Sequence, residues 1–251
     1  MTHPFATRQI PFFLTASTPC PYLPGKMERK VFTRIEPGEG PALNDSLTHA
    51  GFRRSQSVLY RPACEACDAC KSVRIDTNTF DWSRKWRKLM KKNRDLRLST
   101  DNNVATAELF DLMSRYLLSR HGDGDMAGMS FGEFVMMIEE GAQRTHVAEY
   151  RDGDDKLVAA VLTDVLKDGL SLIYSFFDPE ERQRSLGSYM ILDAIRQAAA
   201  LGLPHVYLGY WVSGSAKMEY KAKFQPLQVL TPAGWTGFDT LDIDDTSNSD
   251  G

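Results

Sequence analysis

From Thr145 to Val212 short apolar runs alternate with turn-forming residues at hairpin spacing, and this order restricts the fold more than any other part of the sequence. THVAEY, the turn RDGDD, KLVAAVLTDVL, the turn KDG and LSLIYSFFD follow one another without interruption. Apolar segments separated by such turns predict three consecutive antiparallel strands. Arg184 to Leu201 comes next, entered through SLGS, with Met190, Ile191, Ala194, Ile195 and Ala198 at helical spacing. PHVYLGYWV then predicts another strand, and KMEYKAKF and QPLQVL close the series. The β-β-β-α-β order sets the fold class as α/β, a mixed sheet with flanking helices.

That order is similar to the core of the GCN5-related N-acetyltransferase fold. Enzymes of this kind seat the acyl-CoA pyrophosphate on backbone amides at the start of the helix after the third core strand, through R/Q-x-x-G-x-G/A. Here Arg184, Ser185, Leu186, Gly187 and Ser188 form the corresponding donor-binding loop, and Tyr189 stands where the motif has a small residue. A CoA-dependent N-acetyltransferase is therefore one expectation. The tyrosine narrows the usual passage for pantetheine.

The first hundred residues read differently. They hold most of the prolines and glycines and only short strand-like runs such as SVLYRP and SVRIDT. Residues 1–100 are expected to form an irregular, Cys-containing N-terminal lobe that ends in a basic helix. Residues 101–238 are then the acetyltransferase-like catalytic domain, and 239–251 an acidic tail expected to be disordered. With 42% hydrophobic residues and no apolar run near the ~20 residues of a membrane span, the chain reads as a globular protein with no membrane partner.

All four cysteines, Cys20, Cys64, Cys67 and Cys70, lie in this lobe, three of them spaced C-x-x-C-x-x-C. The N-terminus lacks the charged region, apolar run and cleavage site of a secretory signal, which disfavours disulfides and favours a cytoplasmic protein. Three readings stay open: a zinc or iron site in which Cys20 is the fourth thiolate, small buried hydrophobes, or redox sensing.

Arg84 to Arg97, RKWRKLMKKNRDLR, contains a single acidic residue, Asp95. Trp82, Trp86, Leu89, Met90 and Asn93 recur at helical spacing, so Arg84, Lys85, Arg87, Lys88, Lys91, Lys92 and Arg94 crowd the remaining faces. Repulsion unrelieved by i,i+4 acids points to an anionic partner, nucleic acid phosphate above all. A non-catalytic, metal-stabilised RNA-binding protein is accordingly a further expectation.

Four motifs together resemble the arginyl/leucyl-tRNA–protein transferase family, in particular its bacterial aspartate/glutamate leucyltransferases. They are Cys20-Pro-Tyr-Leu-Pro, the GFRRS…YRP…C…RI cassette from Gly51 to Ile75, SFFDPEERQRSLGSY from Ser175, and YLGYWVSGSAKMEYKAKFQP from Tyr207. The resemblance implies an acetyltransferase-like fold whose donor is leucyl-tRNA. The acceptor would be a protein beginning with Asp or Glu, thereby marked for degradation. Eukaryotic relatives carry a second N-terminal cysteine where this chain has Leu23.

An aminoacyl ester is already activated, so the transfer needs an amine held about 3 Å from the carbonyl and a stabilised oxyanion, with no cofactor. None of the histidines at 3, 49, 121, 146 and 205 sits in a recognisable catalytic pattern, and no general base is assigned. The acceptor carboxylate suits the planar fork of an arginine, which nominates Arg53, Arg54 and Arg74. Lys217, Tyr220 and Lys221 form a second candidate set. Tyr207 and Tyr210 either alternate between core and surface or offer a ring to the terminal adenine of tRNA.

Overall fold

A computed structural model describes residues 9–36, 40–100, 103–121, 125–140 and 144–241, so most of the expected acidic tail lies outside the described residues. In chain order the strands and helices are β1 (Phe13–Leu14), β2 (Thr18–Pro19), β3 (Met27–Glu28), β4 (Lys30–Arg34), α1 (Gly40–His49), β5 (Arg53–Ser55), β6 (Val58–Pro62), β7 (Cys70–Asp76), α2 (Arg84–Lys92), β8 (Arg97–Ser99), α3 (Ala107–His121), α4 (Phe131–Glu139), β9 (Thr145–Arg151), β10 (Leu157–Val165), β11 (Gly169–Phe177), α5 (Leu186–Ala200), β12 (His205–Val212), β13 (Leu227–Thr231) and β14 (Gly234–Gly237).

The three expected hairpin strands are β9, β10 and β11, paired antiparallel, and β12 returns beside β11 in parallel after the α5 crossover. The large sheet runs β14-β13-β7-β12-β11-β10-β9-β8. It draws on both sides of residue 100: β7, from the Cys-containing segment, lies between β13 and β12, and β8 forms the far edge. A boundary at residue 100 therefore does not follow the packing. β7 contains Val73 and Ile75, which side with α5 in the core, so the strand has to be paired on both edges.

α5 covers one face of the sheet. Ile191, Leu192, Ile195 and Ala198 pack on Val73, Val206 and Leu208. α2 lies beside it with Trp86 stacked on Phe224 at 4.9 Å, and Leu89 and Met90 complete the apolar stripe read from the sequence. On the other face, Leu109, Leu112 and Met113 of α3 and Phe134 and Ile138 of α4 cover β9, β10 and Phe176 of β11. α4 starts in a capping box, Ser130 with Glu133, which satisfies amides that the first turn leaves open. A second, four-stranded sheet β1-β4-β6-β5 and α1 make up the N-terminal lobe, with β2 and β3 pairing separately.

One buried ion pair joins the two sheets. Asp164 of β10 accepts from Arg54 Nε and Nη2, both at 2.6 Å, and each side chain is 1% exposed. Thr145 donates to Asp164 at 2.7 Å and Asn44 of α1 at 2.9 Å, while Arg54 Nη1 donates to Gln56 O. With the four lone-pair sites of Asp164 and four of the five Arg54 N–H groups matched, the pair offsets its own desolvation. Arg54→Ala leaves Asp164 buried without its cation, and we expect about 3–5 kcal/mol lost in a urea unfolding titration. Replacing both partners with apolar residues should cost less than the single change. A loss under about 1 kcal/mol would show that the pin is dispensable.

Candidate active site

Strands β11 and β12 pair only from Gly169–Ser171 against His205–Tyr207 and then part. Arg53 fills the opening. Its Nη2 donates to the carbonyls of Leu172 and Ile173 on β11 at 3.1 and 3.0 Å, and its Nη1 to Leu208 O on β12 at 3.0 Å. The guanidinium thus replaces ladder hydrogen bonds that separated strands do not make. Room for it comes from Gly209, whose φ is +73° and where β12 bulges against β7. A Cβ at Gly209 would fall 1.1 Å from Arg53 Nη1.

The carbonyl one residue on is also taken from outside the sheet. Lys221, in the short 3₁₀ turn Glu219–Lys223, is 5% exposed and its Nζ donates to Tyr210 O at 2.5 Å. Burial and the Arg53 charge push the Lys221 ammonium well below the usual lysine range. The Tyr220 ring lies beside it, 5.9 Å from Nζ. Tyr220 itself is 42% exposed, and Lys217 is exposed at the chain's approach to this turn. Tyr210 turns its hydroxyl to Gly51 O and Tyr60 O, each at 3.0 Å. Arg53, Tyr210, Tyr220 and Lys221, nominated from two separate motifs, are brought together where the strands part.

The other nominated residues lie elsewhere. Arg54 has four of its five N–H groups on Asp164, Thr145 and Gln56 and is 1% exposed, so its guanidinium is closed to a ligand; adjacent strand residues leave on opposite sides, and burial selects this one. Arg74 and Tyr207 belong to a cluster at the closed end of the strands. Arg74 stacks on Trp235 at 4.3 Å and donates to Gln228 and to the Tyr207 hydroxyl, which donates to Asp168 at 2.7 Å. His205 and His49 approach the same carboxylate at 3.3 and 3.6 Å. Burial raises the Asp168 pKa, but its contacts with His205 and Tyr207 and the charge of His49 outweigh this and hold it at about 2. Sequence reasoning missed this cluster because Asp168 sits in a turn and its partners come from three other elements, α1, β7 and β12.

At the donor loop, the first turn of α5 opens at Ser185, in the left-handed conformation with φ 52°. Leu186 is buried, and a Cβ at Gly187 would meet the Phe177 ring at 3.2 Å, which is why that position is glycine. Ser188 donates its amide back to Ser185 O, and Tyr189 fills the core beside Tyr150. Arg184, the residue that matched the acetyltransferase motif, is held bidentately by Asp95 at 2.9 and 3.0 Å and by Glu181. Lys92 and Asn93 donate to the carbonyls of Gln183 and Arg184. The end of α2 is therefore fastened to this loop, and it carries Arg84, Lys85, Arg87, Lys88, Lys91, Lys92 and Arg94 exposed beside it.

The four cysteines also converge. Cys20, Cys64, Cys67 and Cys70 line one cavity of about 800 Å³ together with Tyr60 and Tyr210. All four are free thiols. Burial, reinforced by Cys20, Cys64 and Cys67, pushes the Cys70 thiol up to about 12. The donors suit a soft metal, but among the described residues no three His, Cys, Asp or Glu side chains are placed to hold one. The thiols stand apart from the gap between β11 and β12 where Arg53 lies.

A mixed sheet that opens between two parallel strands onto a guanidinium, an amine and tyrosines, with a cationic helix fastened to the loop before α5, is an acyl-transfer scaffold fitted for a polyanionic donor. Residues 18–88 match the family described as "Arginine-tRNA-protein transferase, N terminus" and residues 108–231 its "C terminus" counterpart. A protein of Maricaulis maris named aspartate/glutamate leucyltransferase is 77% identical over 94% of this chain and 92% of its own length. One of the same name from Caulobacter vibrioides is 55% identical, covering 94% of this chain and 86% of its own. Among solved structures, the C-terminal domain of a putative lysylphosphatidylglycerol synthetase from Agrobacterium fabrum superposes with a TM-score of 0.41 at 19% identity, over 77% of this chain and 66% of that one. The chain belongs to the arginine-tRNA–protein transferase family, and is an aminoacyltransferase that acts on tRNA and protein.

Gly209→Ala should expel Arg53 from the gap. We expect kcat/KM to fall at least about 100-fold, the scale of one lost charge-stabilising group in an active site. In an Arg53→Ala background the same change meets no guanidinium and should cost far less. Additive losses in the double variant would show that the glycine serves backbone conformation alone.

Proposed function

We propose that this enzyme transfers leucine from leucyl-tRNA to the α-amine of proteins beginning with Asp or Glu and so marks them for degradation, in the cytoplasm. The observation that carries this reading is the 77% identity, over nearly the whole chain, to a protein named aspartate/glutamate leucyltransferase. The geometry gives it a route. The amine and the ester carbonyl would meet where β11 and β12 part, with positive charge from Arg53 facing the developing oxyanion. Three of the five Arg53 N–H groups are on backbone carbonyls, which leaves two for substrate. The tRNA acceptor arm would lie along the cationic face of α2.

A CoA donor is the poorer reading. The loop that would hold its pyrophosphate has its arginine locked by Asp95 and its carbonyls held by α2, and Tyr189 occupies the position of the small residue. Transfer by this reading needs no cofactor, and a metal or iron–sulfur cluster drawn to the four thiols would serve the lobe rather than the chemistry.

The deciding assay charges tRNA separately with labelled leucine or arginine and offers peptides beginning Asp, Glu, Lys or Ala. Leucine should enter the Asp and Glu peptides; transfer only of arginine, or only from acetyl-CoA, would sink the reading. For the helix, Lys88→Glu with Lys91→Glu should weaken tRNA binding and reduce the slope of log K against log salt by about 1–2, as two phosphate contacts are lost. An unchanged slope places the phosphates elsewhere.

A further inference from the structure

The transferred acyl group is already activated, so the chemical obstacle lies with the acceptor. An N-terminal amine titrates near pH 7.7–8.0 and arrives largely as an ammonium at neutral pH, with no lone pair to attack. A base within the cleft would remove that obstacle, and it has to be uncharged before the acceptor arrives. No carboxylate faces the gap between β11 and β12 among the described contacts of Arg53, Tyr210 and Lys221. The histidines with described side chains do not reach it either: His49 and His205 are gathered at Asp168, beyond the paired end of the strands. His146 lies in β9, on the far side of β10.

We infer that Lys221 is the proton acceptor for the acceptor's α-ammonium. Three geometric facts carry this. The side chain is 5% exposed, which disfavours any charge upon it. Its single hydrogen-bond partner among the described residues is Tyr210 O, whereas a buried ammonium has three N–H groups to satisfy. Arg53, permanently cationic, stands in the same gap, and no carboxylate is paired with either group. A neutral amine fits all three, with one N–H on Tyr210 O and its lone pair left over. The depressed titration of Lys221 agrees with that placement. The groups facing it are Arg53 from β5, Tyr210 from β12 and Tyr220 from its own turn, with Tyr60, Cys70 and Arg61 behind Tyr210 and Tyr116 behind Tyr220.

The step balances as follows. The acceptor ammonium gives one proton to the Lys221 amine, and the freed nitrogen lone pair attacks the ester carbonyl, forming C–N. Collapse of the tetrahedral intermediate breaks the bond to the 3′ oxygen of the terminal ribose, which takes the proton from Lys221. The second proton on nitrogen leaves to solvent, the third remains on the new amide, and lysine is again neutral.

This inference rests on the leucyl-transfer reading, and the wild-type assay tests that reading by itself. Given wild-type transfer, Lys221→Met keeps the volume and apolar surroundings of a neutral lysine. We expect kcat at pH 7 to fall about 100- to 10,000-fold with tRNA affinity and melting temperature nearly unchanged. The deficit should shrink about tenfold per pH unit until the acceptor amine ionises by itself. In the wild type kcat should fall at low pH as Lys221 takes up a proton, and Lys221→Met should lack that limb. A deficit equal at every pH, or a loss under about threefold, would overturn the proposal in favour of a packing role. Should the variant fail to fold, ¹⁵N NMR of wild-type lysine side chains decides: a neutral Lys221 amine at pH 7 supports the assignment, and an ammonium refutes it.

Discussion

The contact between Arg54 and Asp164 is the constraint on which the rest of the site depends. Two ions 1% exposed are tolerable only because the four lone-pair sites of Asp164 and four of the five Arg54 N–H groups have partners, and those partners come from α1, β5 and the turn after it, β9 and β10. The consequence reaches beyond stability. Consecutive residues of a strand leave it on opposite sides. With Arg54 fixed to β10, Arg53 is delivered to the gap between β11 and β12, so β5 straddles β11. The pin holds the lobe to the sheet and its neighbour enters the gap, and one cannot move without the other.

The gap itself explains the unusual chemistry of its lining. Where two parallel strands part, inward carbonyls lose their ladder partners and demand donors. In this chain Arg53 and Lys221 supply the donors for Leu172, Ile173, Leu208 and Tyr210. The groups that repair the backbone are the ones we assign to the reacting atoms, and their positions are set by main-chain geometry rather than by other side chains. Such preorganisation needs no rearrangement when charge develops.

Much of this was legible in the sequence and some was not, for physical reasons. Hairpin spacing exposed β9, β10 and β11, because adjacent antiparallel strands are a local matter. The stripe Trp86, Leu89, Met90 and Asn93 likewise showed which side of α2 is buried, and Asn93 proved to fasten the donor loop. The identity of the motifs carried the family. What the sequence hid was long-range. Nothing in SVRIDT distinguishes an isolated strand from the inner strand that β7 is, since its partners lie over a hundred residues away. Arg53, Arg54 and Arg74 were equivalent candidates by chemistry, and only the location of Asp164 and Trp235 separates them. The four thiols line one cavity, which spacing alone could not show because Cys20 lies more than forty residues before the other three.

The interior position of β7 has a consequence for how the chain is made. Its two neighbours, β12 and β13, start at His205 and Leu227, while β7 ends at Asp76. At roughly 5–20 residues per second, a ribosome leaves this strand unpaired on both edges for roughly 6 to 26 seconds. During that interval Val73 and Ile75 have no sheet to enter, and the three closely spaced cysteines just before them are exposed to solvent. An early strand therefore waits for a late sheet, and the thiol cavity, which Leu230 and Trp235 help to line, cannot close before β13 and β14 have been made.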